Sequence, residues 1–289
     1  MVKLNIPEVK EMIKKAVAED IGVGDVTSQA IIPPSKKIKG KIIAKAFGII
    51  AGLEVAKLVF ETADKKIKVK MRVKDGARAF PGRVLVEISG PAGPVLSAER
   101  TALNFLQRMS GIATTTMAYV NKVKFRKTKI MATRKTAPGL RILDKYAVEV
   151  GGGEPHRMGL YDAILIKENH VDIVGGIKKA ISLARRNSPP ILPIEIEART
   201  LPEVAEAIGA GANKILLDNM DRFTLGRAVK LVREHNDRQA IPQAKIETEA
   251  SGGVNLGNVA RIARTGVDYI SVGALTHSPK ALDMSLEIC

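Results

Sequence analysis

Polar and charged residues follow several short apolar segments in the second half of the chain. Because parallel β/α architectures bind their ligands at the carboxyl ends of strands, residues in these positions are candidates for chemistry. One strand that ends in a charged residue carries little information, but six such ends predict a shared binding site. The residues at or near these ends are Thr133, Lys167, Glu197, Asp218, Glu249 and Gly273.

Basic residues near these strand ends are suited to bind carboxylates or phosphates. The planar Arg side chain can hold either group through two hydrogen bonds, and Lys supplies a point charge. Lys167 is the most informative of them, because it ends the apolar run 163–166, which we expect to be buried. Each cation alone has the alternative of a solvated loop position. The candidates are Arg100 on an earlier helix, Arg134, Lys135, His156, Arg157 and Lys167.

Three acidic residues belong to the same predicted strand ends. Glu195 and Glu197 are two residues apart on one strand and therefore face the same side, and Asp218 ends the neighbouring strand. Such carboxylates can hold Mg²⁺ together with substrate phosphates, and they can also stabilise a developing positive charge. The alternative is a salt-bridge network with the nearby cations.

Small residues follow the last two predicted strands. Backbone N–H groups at such turns can bind phosphate, and β/α barrels commonly place phosphate there. The alternative is an ordinary turn. The segments are Ser251, Gly252 and Gly253, and Val272, Gly273 and Ala274; a further run, Gly151–Gly153, precedes His156 and can let the backbone approach a ligand.

The elements that carry these residues alternate between strand and helix patterns. Such alternation predicts parallel strands with right-handed crossovers, either in a closed β/α barrel or in an open doubly wound sheet. A seventh strand is possible near Ala147–Val150. The predicted strands are 130–133, 163–167, 194–198, 214–218, 246–250 and 269–273, and the predicted helices are 173–186, 202–208, 223–235 and 256–264.

The first ~110 residues predict a different, antiparallel α+β arrangement. Residues 7–18 have the apolar spacing of an amphipathic helix, and residues 66–74 alternate between Lys or Arg and apolar residues, as in a strand with one solvated face. Asp75 and Gly76 predict a turn before a strand at 83–88. Ser97 can cap a helix that extends to Ile112, and a second helix follows to about Phe125.

The composition excludes several functions. The 289 residues have a formal net charge of +16, which raises the alternative of a nucleic-acid-binding protein. However, aromatic residues make up only 3% of the chain and Trp is absent, so few rings are available for base stacking. The four His residues lack zinc-ligand spacing. From the residues alone we expect a metal-assisted enzyme that acts on a phosphorylated anion and a second anionic partner.

The sequence also gives expectations about location. No apolar stretch approaches the ~20 residues of a membrane span. Residues 1–7 lack the apolar core of a signal peptide, and the only cysteine, Cys289, leaves no intrachain disulfide. We therefore expect a cytoplasmic protein without membrane contacts.

The chain resembles the quinolinate phosphoribosyltransferases, also named nicotinate-nucleotide pyrophosphorylases, over nearly its whole length. Each motif is short, but the ordered set is specific. The motifs are 24–27 (GDVT), 99–114 (ERTALNFLQRMSGIAT), 133–141 (TRKTAPGLR), 145–148 (KYAV), 151–153 (GGG), 156–160 (HRMGL), 165–170 (LIKENH), 195–197 (EIE), 217–219 (LDN), 249–253 (EASGG) and 266–278.

This resemblance implies an α/β fold with two domains. Residues 1–112 would form an N-terminal α/β sandwich with which the tail 275–289 packs, and residues 113–274 would form an incomplete β/α barrel of about seven strands. It also implies Mg²⁺-dependent transfer of phosphoribosyl from phosphoribosyl pyrophosphate to quinolinate, which gives nicotinate mononucleotide, pyrophosphate and CO₂ in NAD biosynthesis. A homodimer, or a higher oligomer, would bring Arg100 into the partner's site.

The resemblance also assigns roles to individual residues. Arg100, Thr133, Arg134, His156, Arg157 and Lys167 would bind quinolinate, and Lys135 would lie between quinolinate and the phosphoribosyl donor. Glu197 and Asp218 would contact the ribose and hold Mg²⁺, and with Lys135 they form the catalytic set. Ser251–Gly253 and Val272–Ala274 would bind the 5′-phosphate.

Four positions depart from the family pattern without removing any of these charged groups: Ala132, Ala137, Pro155 and Glu168. They leave open a paralogue of the same fold with another acceptor, such as the molybdenum-transport-associated relative or a nicotinate enzyme. A nicotinate enzyme binds one carboxylate and needs fewer cations, so the five basic groups favour a dicarboxylate.

Overall fold

The computed structural model describes residues 4–240 and 245–289. Residues 1–3, part of the segment 1–7 in which the sequence predicts no signal peptide, lie outside the described residues. Among the described helices, none combines the length and the apolar character that crossing a membrane requires.

The described residues form helices and strands in alternation. In chain order, the first are α1 (Ile6–Ile21), α2 (Val26–Ile31), β1 (Lys37–Ala44), β2 (Gly48–Ile49), α3 (Leu53–Ala63), β3 (Lys68–Met71), β4 (Arg78–Ala79), β5 (Val84–Pro91) and α4 (Ala92–Val123). They continue with β6 (Lys129–Met131), α5 (Arg141–Val150), β7 (Ile164–Ile166), α6 (Glu168–Val174), α7 (Ile177–Asn187), β8 (Ile194–Ala198), α8 (Leu201–Gly209), β9 (Lys214–Asp218), α9 (Arg222–Asn236), β10 (Glu247–Ser251), α10 (Val259–Ala263), β11 (Tyr269–Ser271), α11 (Ala274–His277) and β12 (Met284–Ile288).

The chain divides into two compact units. The first unit comprises Met1–Met117, Thr136–Gly152 and Leu275–Cys289, and the second comprises Ala118–Lys135 and Gly153–Ala274. The predicted second domain, 113–274, includes residues 136–152, whereas in the structure residues 136–152 belong to the first unit.

The first unit contains a four-stranded antiparallel sheet in the order β12-β1-β5-β3. Along β3, Lys68 and Lys70 are exposed while Val69 and Met71 are half-buried, so the predicted solvated face is confirmed. Asp75 lies at the predicted turn, and its carboxylate accepts hydrogen bonds from the backbone N–H groups of Gly52 and Leu53, which caps the start of α3.

One long helix, α4, replaces the two predicted helices, so Ser97 does not cap a helix start. Its hydroxyl lies 3.0 Å from the carbonyl oxygen of Gly93, within the same helix. Within this helix Gly111 lies against the segment near Lys280, and any side chain at Gly111 would collide with the Lys280 carbonyl oxygen.

The predicted seventh strand near Ala147–Val150 is wrong, because these residues belong to α5. The helix buries Leu143, Ala147 and Val148 on one side. Its fully buried Asp144 accepts two hydrogen bonds from the guanidinium of Arg108, at 2.9 and 2.8 Å. This bidentate pair fixes the helix within the first unit.

The second unit contains a six-stranded parallel sheet in the order β6-β11-β10-β9-β8-β7. This sheet confirms the predicted α/β class, and β8 and β9 have the predicted bounds. In the sheet order, β6 and β7 are its two edges. The helix predicted at 173–186 is wrong as a single element: it divides into α6 and α7 at Gly175 and Gly176, whose φ angles of 84° and 128° no helix accommodates.

Candidate active site

One face of the six-stranded sheet carries most of the charged strand residues of the second unit. Glu195 pairs in register with Lys214, Glu197 with Leu216, and Asp218 with Ser251. Because paired residues of parallel strands point to the same side and alternate residues share a face, these charges lie on one surface. They form two groups along the strands. The edge group at the carboxyl ends is Lys167, Glu168, Glu197, Arg199 and Asp218; the buried cluster further along the face is His156, Glu195, Lys214, Glu249 and Ser271.

Two of the three acids of the edge group, Glu197 and Asp218, lie side by side and remain partly open to solvent. The side chains of Glu197 and Asp218 are 12% and 16% exposed, and Arg199 lies 3.5 Å from the Glu197 Oε1 and 3.8 Å from the Asp218 Oδ2. Burial raises the pKa of Glu197, and the nearby charge of Asp218 raises it further. Lys167 and Arg199 act in the opposite direction. The pair thus retains unbalanced negative charge.

Oxygen donors with unbalanced charge are the ligands that Mg²⁺ takes in proteins, often together with substrate phosphates. Glu197 and Asp218 meet this requirement, and Asn219 steadies Asp218 by donating a hydrogen bond of 3.0 Å to its Oδ2. The residues present therefore fit the magnesium ion that the sequence predicts.

Arg199 was missed in the sequence reasoning. It also contacts the carboxylate of Glu168, one of the four departures from the family pattern, so that Glu168 supplies a third acidic partner for this cation. The sequence does contain an indication of its position, because Arg199 lies two residues beyond Glu197 and continues the alternation of Glu195 and Glu197 on one face.

Two of the predicted cations approach each other. Arg134 follows β6, and Arg157 lies in the loop before β7, where its guanidinium donates a 3.0 Å hydrogen bond to the carbonyl oxygen of Ala163. Burial lowers the pKa of Arg157, and the positive charge of Arg134 lowers it further. Two half-buried cations in electrostatic contact form a place where an anion is favoured.

The other predicted cations have separate positions. The hydroxyl of Thr133 accepts a hydrogen bond from the backbone N–H of Lys135, whose side chain is exposed. Lys167 is also exposed and immediately precedes α6, where its backbone N–H donates to the Nδ1 of His170. Arg100 is exposed on α4 in the first unit.

The turn after β10 is shaped by glycine. Gly252 and Gly253 have φ angles of 96° and 58°, and a side chain at Gly252 would collide with Asn219. Asn219, itself at a φ of 51°, donates its backbone N–H to the Ser251 carbonyl oxygen. These contacts fix a tight turn next to Asp218.

The turn after β11 differs from this arrangement. The backbone N–H of Val272 donates to the carbonyl oxygen of Met131, so it is already used by the sheet edge. Of the three predicted phosphate donors here, Gly273 and Ala274 remain the better candidates.

The buried cluster combines two acids with a lysine. Glu249 is 0% and Glu195 8% exposed. The Lys214 ammonium contacts the Glu249 carboxylate and lies 3.6 Å from the Glu195 Oε1, and the hydroxyl of Ser271 donates to Glu249. The Lys214 ammonium also lies 4.4 Å from the centre of the Tyr269 ring.

His156 completes this cluster. Its Nε2 lies 3.8 Å from the Glu195 Oε2 and 3.7 Å from the Glu249 Oε1, and its side chain is 9% exposed. His156, Glu195 and Glu249 have the side-chain types that bind metals, and their nearest ligand atoms lie within 4.8 Å of one another. Because the Lys214 ammonium lies between the two acids, it already supplies the positive charge that a metal ion would bring.

Burial raises the pKa of the Glu195 carboxyl to about 8, and the charge of Glu249 adds to this effect. Although burial opposes the charge of Lys214, the carboxylates of Glu249 and Glu195 raise its pKa. The sequence singled out Glu195, Glu249 and His156 but not their partner Lys214, which begins β9.

Comparisons with known proteins bear on the whole chain. Residues 25–110 match the family model of the quinolinate phosphoribosyl transferase N-terminal domain, and residues 112–287 match that of the C-terminal domain. A probable nicotinate-nucleotide pyrophosphorylase [carboxylating] of Bacillus subtilis is 42% identical over 285 residues, which cover 99% of this chain and 95% of that protein.

A quinolinate phosphoribosyltransferase [decarboxylating] of Nicotiana glauca is 41% identical, with 97% of this chain and 82% of that protein covered. Among solved structures, the crystal structure of NadC from Streptococcus pyogenes matches with a TM-score of 0.93 and 37% identity, and covers 100% of this chain and 99% of that one.

Proposed function

Because the chain belongs to the quinolinate phosphoribosyltransferase family, we propose that it transfers phosphoribosyl from phosphoribosyl pyrophosphate to quinolinate with Mg²⁺ and releases nicotinate mononucleotide, pyrophosphate and CO₂. The chain is a phosphoribosyltransferase of NAD biosynthesis. The observation that supports the finer assignment is two pairs of like charges near the carboxyl ends of the strands. The charge of Arg134 lowers the pKa of Arg157, and the charge of Asp218 raises the pKa of Glu197.

The cation pair suits the acceptor. Quinolinate carries two adjacent carboxylates, and Arg134 and Arg157 present two planar groups that can each bind one carboxylate through two hydrogen bonds. Lys167, at the end of β7, adds a further charge. Binding both carboxylates would orient the pyridine nitrogen toward the donor and would favour quinolinate over nicotinate.

The acid pair suits the donor. When pyrophosphate leaves, the ribose passes through a state with positive charge at C1, and the carboxylates of Glu197 and Asp218 stabilise that charge in a fixed arrangement. Both residues would hold Mg²⁺, which supplies neutralising charge for the leaving pyrophosphate. The turn 251–253 and the N–H groups of Gly273 and Ala274 would bind the 5′-phosphate.

Decarboxylation follows from the substrate's own chemistry. Attachment of the ribose makes the pyridine nitrogen cationic, so the bond to the 2-carboxylate can break with its electron pair left on C2 beside that nitrogen. CO₂ leaves, and C2 takes a proton from solvent to give nicotinate mononucleotide. The protein then mainly positions the reactants, with Lys135 between acceptor and donor, and needs no covalent intermediate.

A direct assay tests the reaction. Purified protein, phosphoribosyl pyrophosphate and Mg²⁺ are incubated with quinolinate labelled in the 2-carboxylate, and released CO₂ and nicotinate mononucleotide are measured. Matched reactions contain nicotinate in place of quinolinate, or a chelator. We expect CO₂ and mononucleotide in equal amounts from quinolinate and loss of both with the chelator. Mononucleotide from nicotinate alone would contradict the proposal.

We further propose a cytoplasmic homodimer in which Arg100 of one subunit serves the site of the other. Its exposure on α4 in the first unit is compatible with this role. Arg100→Ala and Lys135→Ala should each be inactive alone, and mixed heterodimers should regain activity because one of their two sites contains both residues. Failure of the heterodimers to regain activity would exclude action across subunits.

A further inference from the structure

Arg199 contacts three acids, and the three contacts are unequal. Its guanidinium forms a hydrogen-bonded ion pair with the carboxylate of Glu168, whereas it lies 3.5 Å from the Glu197 Oε1 and 3.8 Å from the Asp218 Oδ2. The two longer distances allow attraction between the charges but exceed those of charged hydrogen bonds. Arg199 is therefore anchored on Glu168 and is attracted to Glu197 and Asp218 through charge alone.

The backbone of Arg199 is fixed, while its side chain is half exposed. The backbone N–H donates a 2.7 Å hydrogen bond to the Glu203 Oε2, and the backbone N–H of Glu203 donates in turn to the Thr200 hydroxyl at the start of α8. The side chains of Arg199 and Glu168 are 46% and 45% exposed. The guanidinium can therefore move without any movement of the backbone that carries it.

A cavity beside the Arg199 side chain gives it room. The cavity has a volume of about 250 Å³ and extends from the end of β8 to α6 and α8. Among the described residues that line it, Arg199 is the cation and five are acids: Glu168, Asp172, Glu197, Glu203 and Glu206. A guanidinium that moves away from Glu197 and Asp218 thus remains among carboxylates, which lowers the free energy that its displacement costs.

Glu197 and Asp218 are the acids that would hold Mg²⁺, and a cation beside them competes with that ion. In proteins, Mg²⁺ usually binds through one or two carboxylates together with the phosphates of a substrate. The charge of Arg199 weakens the attraction of the two acids for a free ion, whereas a donor with its own phosphates brings further ligands. The position of Arg199 thus favours a metal ion that arrives with the donor.

We infer that Arg199 is a specificity-determining residue: it is the counter-ion of Glu197 and Asp218 until the metal enters, and Glu168 retains it afterwards. Arg199 thereby keeps free Mg²⁺ from binding tightly before phosphoribosyl pyrophosphate arrives. This inference rests on the proposed function, because it concerns the donor half of that site.

Binding of Mn²⁺ to the protein without substrates tests the inference. Mn²⁺ takes the oxygen ligands that Mg²⁺ takes, and the free ion is measured by electron paramagnetic resonance. Arg199→Met should bind Mn²⁺ about 5-fold more tightly than the wild type at low salt, where half-exposed charges are least screened. Glu197→Gln in the Arg199→Met background should remove this gain, which locates the ion at the acid pair. Equal binding by wild type and Arg199→Met, or no detectable binding by either, would overturn the inference.

Matched variants show whether the charge at this position is the cause. Arg199→Lys retains a cation, and Arg186→Met removes an exposed cation from α7, so both should bind Mn²⁺ within about 2-fold of the wild type. A gain in Arg199→Lys equal to that of Arg199→Met would overturn the inference. An equal gain in Arg186→Met would do the same, because it would show an effect of the net charge alone.

The role of Glu168 is tested by the same measurement. Glu168→Gln should weaken Mn²⁺ binding about 3-fold, because Arg199 then loses the acid that competes with Glu197 and Asp218 for it. In the Arg199→Met background, the same substitution should have little effect. An equal effect in both backgrounds would show that Glu168 attracts the metal directly, and would overturn the inference.

Steady-state kinetics separate this role from direct binding of the leaving group. At saturating Mg²⁺, Arg199→Met should keep the KM for phosphoribosyl pyrophosphate within about 2-fold. A KM raised about 10-fold with unchanged Mn²⁺ binding would show that Arg199 binds the pyrophosphate instead, and would overturn the inference. Inactivity of the wild-type protein toward quinolinate would refute the proposed function without altering the Mn²⁺ result, so the two failures are distinguishable.

Discussion

Glu195 and Glu197 lie two residues apart on one strand and face the same side. However, Glu195 belongs to the buried cluster and Glu197 to the edge group, and the two groups differ in the surroundings of their charges. Burial raises the pKa of both carboxyls. Glu195 is balanced inside the buried cluster by Lys214, whereas Glu197 has Asp218 beside it and only partly exposed cations to offset the charge. In the buried cluster Glu195 and Glu249 share the single ammonium of Lys214, which leaves the Glu195 Oε1 without a hydrogen bond but closed off from solvent, while the edge group retains charge that a ligand can reach.

The strongest test of this comparison removes the cation of the buried cluster. Lys214→Met leaves the buried Glu249 without its cation, so we expect the free energy of unfolding to fall by about 3–5 kcal/mol, measured by urea denaturation. The matched variant Arg199→Met removes a cation that is nearly half exposed, and should cost less than about 1 kcal/mol. Equal losses of unfolding free energy in the two variants would show that the buried cluster and the edge group do not differ in this way.

The converse test removes an acid of the edge group. Glu197→Gln should lower kcat about 100-fold at saturating substrates, because a fixed charge near the developing ribosyl cation is lost. Its thermal unfolding midpoint should not fall, since the repulsion from Asp218 is relieved. A large drop in stability with unchanged kcat would show that Glu197 acts as a structural residue.

A smaller effect concerns pH. The pKa of Glu195 is raised from 4.5 to about 8 in the folded protein, so the folded state binds its proton more tightly than the unfolded state. The resulting stability is fully present below pH 4.5 and is lost as the pH rises to about 8. Glu195→Gln should therefore flatten the decrease in unfolding free energy between pH 5 and pH 8, by about 1 kcal/mol or more. An unchanged slope would show that another group is responsible.

The smallest effect is expected outside both regions. Substitution of both Lys68 and Lys70 by Ser reduces the net charge but changes only the solvated face of β3. We expect the KM for each substrate to stay within about 2-fold and the stability within about 0.5 kcal/mol. A marked rise in either KM would show that the overall basic charge, and not the edge group alone, recruits the anionic substrates.

The sequence predicts the residues at the carboxyl ends of the strands better than the buried residues further along them. Alternation and flanking turns locate β8 and β9, so the carboxyl-end positions of Glu197 and Asp218 follow directly. The partners of Glu195 do not follow, because they depend on the register between strands, and Lys214 begins its strand without any distinctive motif. The position of His156 beside Glu195 and Glu249 likewise depends on how β8 and β10 lie in the sheet.

Local patterns also fail where tertiary contacts override them. Residues 147–150 have a short apolar run that suits a strand, but the buried pair of Asp144 with Arg108 holds them in α5. The sequence predicts one helix that ends at Ile112 and a second that follows, but α4 is continuous there, and Gly111 provides the space for the chain near Lys280. Neither distant contact is visible from the neighbouring residues.

The pairing of β12 with β1 has a consequence for the order of folding. Residues 284–288 lie beside residues 40–44, so the sheet of the first unit receives an edge strand that the ribosome makes after all six strands of the second unit. Until then, β1 presents unpaired backbone groups, which is a risk for association with other chains. A nascent or truncated chain that ends before Met284 would therefore depend on chaperones or on rapid completion to avoid aggregation.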